Sequence, residues 1–329
     1  VITDIHCHFV PERYLAFLEA EPAFAVRRRR LGDDGAELSI GPIRVALNQT
    51  FFDAQRQIVR MDRLGIDRTV LSLATPLIDY TVPGPSAVAA ARIFNDALAD
   101  TVARHADRFA GWAFLPMQDP AAAAAELRRA VTELGLWGGH LGSNVGGRYL
   151  DASDYAPIFD AAAALDVPLF IHPASPPGRE RTANYELTIV SGYLFDTTIN
   201  IFNMIFGGLL DRHPGLRLCC AHAGGYALLL RKRMQREVDS NPALASTIRG
   251  GVGDYLRRLY FDTVCFEDGY LRYAAEIAEA GHFVLGSDGP FALGEPDPVG
   301  FIRASFGTGE TGQAILHRNA ESLFGGRRV

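Results

Sequence analysis

A chain of 329 residues fits either two domains or one large α/β barrel, which commonly runs to about 250 residues and more with insertions. Its 48% apolar and 21% charged residues suit a well-cored globular protein and exclude a disordered one. A net charge of −6, with no basic tract beyond the four arginines at 27–30, leaves no footprint for a nucleic-acid partner.

The chain opens on a β-branched apolar run that ends in His6-Cys7-His8. Side chains alternate faces along a strand, so His6 and His8 point the same way and Cys7 points opposite. Two imidazoles about 7 Å apart along one strand face can both reach a single metal ion. Residues 9–48 are polar, interrupted by Pro11, Pro22 and Pro42, and carry Gly32-Asp33-Asp34-Gly35 between two alternating segments. This reads as an inserted hairpin within 9–51, with the arginine run as a solvated arm.

A regular alternation follows. Helical periodicity over 52–64 stops at Gly65, a C-cap signal, and leads into a strand at 69–74. Next come helix 86–105 and strand 111–115, then helix 120–134 and strand 139–142. The series continues with helix 155–165, strand 168–172, helix 199–211, strand 216–222, helix 226–237, strand 259–265, helix 270–279 and strand 283–287. Eight apolar strands separated by helices call for a parallel sheet buried on both faces and closed as an α/β (β/α)8 barrel, one unit over 1–329. An open doubly wound sheet is the alternative, but its glycine-rich phosphate fingerprint is absent after strand one, where H-x-H stands instead.

Barrel chemistry sits at the C-terminal ends of strands. His6 and His8 end strand one, His140 lies in strand four, His172 ends strand five, His222 ends strand six and Asp288 ends strand eight. By contrast His105, His213, His282 and His317 fall near helix ends or in a terminal helix, where capping or exposure accounts for them. Packing alone does not gather several polar groups at one end of a barrel, because each buried one needs a partner. The set therefore points to one divalent cation, zinc first and manganese second, with an open position for water. The apolar stretches are strand-sized or interrupted by charge, so no membrane span is expected. Four scattered cysteines suit reduced thiols in a cytoplasmic protein.

The pattern D-x-H-x-H on strand one, His on strands five and six and Asp on strand eight resembles the amidohydrolase superfamily. Its two-metal members commonly use a carboxylated lysine on strand four. The single lysine here, Lys232, follows strand six, so a mononuclear site is the reading. Gly142-Ser-Asn144, Gly178-Arg-Glu-Arg181, Ile205-Phe-Gly-Gly-Leu209, Ala221-His-Ala-Gly-Gly225, Gly286-Ser-Asp-Gly-Pro-Phe291 and Asn319-Ala-Glu-Ser-Leu-Phe324 narrow the resemblance. They are similar to the amidohydrolase 2 branch, typified by α-amino-β-carboxymuconate-ε-semialdehyde decarboxylase and hydroxybenzoate decarboxylases.

The resemblance implies metal ligation by His6, His8, His172 and Asp288, with His222 as acid–base beside the metal-bound water and Asp288 as the other candidate for moving the proton. It also implies a homodimer, with Arg44 in the hairpin and Arg233 from a neighbouring copy holding a substrate carboxylate. Two positions depart from the branch: Gly289 replaces the usual aromatic after the aspartate, and His140 stands where Gln or an apolar residue is usual. Both are expected to face the substrate. The implied activity is decarboxylation of a small aromatic or muconate-like carboxylate. The alternatives are hydrolysis of a lactone or amide, or hydration, by the same site, and a binding protein with a vestigial site is a third class.

Overall fold

Every residue of Thr3–Phe9 is buried, as a strand covered on both faces requires. In the computed structural model, which describes residues 1–32, 35–41 and 43–326, this strand opens an eight-stranded parallel sheet. The other strands, in sheet order, are Arg68–Leu73, Phe109–Phe114, Gly138–Gly142, Leu169–His172, Leu218–Cys220, Tyr260–Asp262 and Phe283–Val284. Past the eighth strand the chain runs parallel to the first. Ile5 N donates to Leu285 O at 2.9 Å, Asp288 N to His6 O at 2.8 Å and His8 N to Gly289 O at 2.7 Å, which closes the barrel.

Helices alternate with the strands as the sequence pattern requires, and the boundary signals operate locally. Asp53 caps Ala54–Leu64 by accepting from Gln55 N and Arg56 N, and Gly65 ends that helix in the left-handed conformation at φ 68°. Asp119 caps Pro120–Thr132 in the same way.

Three segments differ from the sequence expectation. The insertion is not a simple hairpin: it holds a helix, Glu12–Ala20, followed by a three-stranded antiparallel sheet of Val26–Arg30, Ala36–Ile40 and Ile43–Leu47. Asp33, Asp34 and Pro42 lie outside the described residues. The arginine run is only partly a solvated arm, because the Arg28 side chain is 13% exposed and pairs with Glu12 at 2.8 Å and Glu19 at 2.7 Å. The helix expected at 199–211 is instead one continuous element from Thr188 to Phe206, then a short turn, Leu209–Arg212. Its 19 residues are long and apolar enough to cross a bilayer by length and composition, but half of it is buried and Asp196 is hydrogen-bonded inside. Packing on the barrel accounts for its buried half.

The lower barrel is filled by side chains. Trp112 is fully buried, 5.6 Å from the Phe170 ring and 5.0 Å from that of Phe324, and its Nε1 donates to Ile5 O at 2.8 Å. Replacing Trp112 with Phe removes that donor and part of the filled volume. The unfolding free energy should fall by about 1–3 kcal/mol, the cost of a buried group left unsatisfied, read from urea denaturation. An unchanged midpoint and slope would contradict this account of the barrel floor.

Candidate metal centre at the barrel mouth

Each histidine of the cluster is oriented by what its Nδ1 faces. His8 Nδ1 lies 3.0 Å from the carbonyl oxygen of Leu73, which only accepts, so Nδ1 carries the proton. His172 Nδ1 lies 2.8 Å from Pro173 O and 3.0 Å from Thr75 Oγ1, which fixes the same tautomer. His6 Nδ1 lies 2.6 Å from Asp262 Oδ2. All three rings therefore turn Nε2 into one space, and His6 Nε2 and His8 Nε2 are 3.1 Å apart.

Into the same space comes Asp288. Its Oδ1 lies 2.9 Å from His8 Nε2 and 3.1 Å from His6 Nε2, and its Oδ2 lies 3.5 Å from His222 Nε2. Donor atoms of His6, His172, His222 and Asp288 all fall within 4.8 Å of one another. The Nε2 of His172 is buried with no hydrogen-bond partner among the described residues. Converging lone pairs and a carboxylate repel unless positive charge joins them, and outer-atom tethers to carbonyl or carboxylate are how metal-binding imidazoles are held. Three imidazole nitrogens and a carboxylate fit one divalent ion.

Electrostatics give the same picture. Burial lowers the pKa of His8, and it pushes His172 well below the usual histidine value with help from the neighbouring imidazoles. At His6 burial also opposes the charge, yet Asp288 and Asp262 raise it to about 10. The cluster thus has a strong demand for a positive charge, which a proton or a metal ion can meet.

The turns that aim these groups are conformationally unusual. His222 and Ala223 have φ of 56° and 50°, and Asp288 has φ of 55°. Left-handed backbone at non-glycine residues costs about 1–3 kcal/mol each and persists only where the surroundings impose it. At Gly225, also left-handed, a Cβ would lie 2.2 Å from Leu194 O, so only glycine fits behind His222.

The sequence-derived residues separate into groups. His6, His8, His172, His222 and Asp288 come together. His140 is fully buried one residue layer below, stacked on Phe170 at 5.6 Å and 6.1 Å from the His172 ring, with neither nitrogen hydrogen-bonded among the described residues. Burial holds its pKa well below the usual value, so it is a neutral ring. Arg44 is exposed on the last strand of the inserted sheet, opposite Ser39, and Arg233 is exposed on the helix Ala227–Ser240. No hydrogen bond or ion pair joins either arginine to the cluster among the described residues. Gly289 does not face the mouth as expected: a Cβ there would meet the guanidinium of Arg60.

Sequence reasoning passed over Asp262. It ends strand seven, is fully buried, and accepts from His6 Nδ1 and from the backbone N–H groups of Ala223 and Val264. The sequence pattern extends this strand to 265, which leaves Asp262 in mid-strand, whereas the structure ends it at Asp262.

Comparison with known proteins agrees with this geometry. The amidohydrolase family model matches residues 3–326. The 2-amino-3-carboxymuconate-6-semialdehyde decarboxylase of Dictyostelium discoideum is 31% identical over 284 residues, 86% of this chain and 77% of that protein. The γ-resorcylate decarboxylase of Rhodococcus jostii is 35% identical over 225 residues, 62% of this chain and 66% of that protein. The dihydroxybenzoic acid decarboxylase from Polaromonas sp. JS666, solved with bound manganese and the inhibitor 2-nitroresorcinol, superposes with a TM-score of 0.79 at 24% identity. That superposition covers 100% of this chain and 98% of the other, a likeness of fold. With its donor set intact and the family model spanning nearly its whole length, the chain belongs to the amidohydrolase family.

Proposed function

We propose that this protein is a metal-dependent decarboxylase that removes CO2, without an oxidant, from a small aromatic or muconate-like carboxylic acid. The observation that carries the reading is the convergence of His6, His172, His222 and Asp288, with His8 beside them, in a chain related to named decarboxylases. A divalent ion bound there would supply electrostatic hold on a substrate heteroatom next to the departing carboxylate. Zinc suits an imidazole-rich set. Manganese, the ion in the Polaromonas enzyme, is second.

The chain's own part is to hold the substrate and manage one proton. Decarboxylation converts R–COO⁻ and H⁺ into R–H and CO2, so the carbon that loses CO2 must gain a proton. We assign its delivery to His222, whose Nε2 lies 3.5 Å from Asp288 Oδ2 and whose Nδ1 has no hydrogen-bond partner among the described residues. Asp288 is the partner that shares and returns it.

We also propose that two copies pair. Arg233 is exposed, and so are Leu229 on the same helix and Phe195 on the helix packed against it. This surface supports an arginine shared between copies, forked on a substrate carboxylate. Free thiols at Cys7, Cys219, Cys220 and Cys265 support a reducing, cytoplasmic setting.

Headspace CO2 measured over a panel of hydroxybenzoates and muconate-type acids should rise with the loaded enzyme, fall to background after chelation, and return with Zn²⁺ or Mn²⁺. Turnover of a lactone or amide panel with no CO2 from any acid would overturn the decarboxylase reading in favour of hydrolysis. Asp262→Asn should weaken metal affinity about 10–100-fold, the usual cost of a lost outer partner of a ligating histidine, measured by competition with a chromophoric chelator; unchanged affinity would remove Asp262 from the site. Arg233→Ala should lower kcat/KM by about 10–100-fold, from the 1.5–3 kcal/mol of a hydrogen bond to a charged group. An Arg233→Ala enzyme with ordinary kinetics would sink the shared-arginine reading.

A further inference from the structure

The segment that carries Asp288 is clamped from behind by two motif residues, Asp4 and Ser287, and by Arg60, which lies outside the motifs. Ser287 Oγ donates to Asp4 Oδ2 at 2.5 Å and accepts from Arg60 Nη2 at 3.0 Å and from Gly289 N at 3.1 Å. The other Asp4 oxygen, Oδ1, accepts from Ser287 N at 3.0 Å and His6 N at 3.1 Å. Asp4 is fully buried, and Arg60 Nη1, 4.0 Å from its Oδ2, is the cation that faces it. A buried carboxylate needs such a partner. Arg60 itself comes from the helix Ala54–Leu64, and its side chain is 12% exposed.

Gly289 fits into this arrangement. A Cβ built there would lie 2.0 Å from Arg60 Nη2, 2.3 Å from its Cζ and 2.8 Å from its Nη1. The guanidinium therefore occupies the volume that a side chain at 289 would take. Any residue larger than glycine must displace the Arg60 guanidinium from this position.

We propose that Arg60 is a positioning residue for the metal centre, and that Gly289 is its obligatory counterpart. Through Ser287 and Asp4 the guanidinium fixes the left-handed turn at Asp288 and joins it to the strand that bears His6 and His8. This rests on reading the cluster as a metal site and is independent of which reaction the site performs.

The test is Mn²⁺ affinity of the full-length protein, by equilibrium dialysis with elemental analysis, beside melting temperature and circular dichroism to register folding. Arg60→Met and Gly289→Ala should each weaken affinity about 10–100-fold. The double variant should be no weaker than the worse single, because both changes break one contact. Arg63→Met, on the same helix and exposed, should bind as the parent does. Affinity of Arg60→Met within about threefold of the parent, or losses that multiply in the double variant, would overturn the proposal. If Arg60→Met does not fold, Gly289→Ala decides alone, with retained affinity counting against. A parent that binds no Mn²⁺ or Zn²⁺ would overturn the metal site and this proposal with it, whereas absence of CO2 release leaves the affinity comparison intact.

Discussion

The whole site depends on where three protons sit. Because His6, His8 and His172 each direct Nδ1 at an oxygen that accepts, each ring turns its Nε2 inward, and those of His6 and His8 lie beside the Asp288 carboxylate. Electrostatics then leaves little freedom: such a group holds positive charge or comes apart. The tethers are supplied by different parts of the barrel, by the Leu73 carbonyl at the end of strand two, the Pro173 carbonyl after strand five and Asp262 at the end of strand seven. A closed parallel barrel is what brings these distant segments to a common rim.

Around that rim the chain accepts unfavourable backbone. His222, Ala223 and Asp288 sit in the left-handed region, and the segment through Gly225 is wedged against Leu194. The groups that would exchange a proton with substrate, His222 and Asp288, are thus the ones on left-handed turns, whereas His6, His8 and His172 lie within strands, His6 where the register against strand two shifts. Asp288 belongs to both sets, a carboxylate of the donor cluster that also lies 3.5 Å from His222 Nε2.

Much of this was readable in the sequence for definite physical reasons. The two-residue period of a strand put His6 and His8 on one face, and the end-of-strand rule selected His172, His222 and Asp288 from the other candidates. Buried apolar strands separated by capped helices are enough to announce a parallel barrel. What escaped were features without a period or a motif. Helix Glu12–Ala20 follows Pro11 in a stretch whose prolines suggested a hairpin, and its polar face is explained by ion pairs of Glu12 and Glu19 with Arg28 and of Arg13 with Asp96 and Asp100. Asp262 looks like any aspartate after an apolar run until His6 is seen against it. The Arg60–Gly289 contact joins helix and loop segments far apart in the chain, and an absent Cβ leaves no pattern to read. Arg44 is implied by the resemblance alone, and it lies exposed on the inserted sheet.

The central claim is that one divalent ion is held by imidazole nitrogens and a carboxylate at this rim. X-ray absorption fine structure on protein loaded with one equivalent of metal tests it directly. The account predicts a first shell of mixed nitrogen and oxygen with the outer-shell scattering of at least two imidazole rings. A spectrum of oxygen ligands alone, without imidazole scattering, would contradict it.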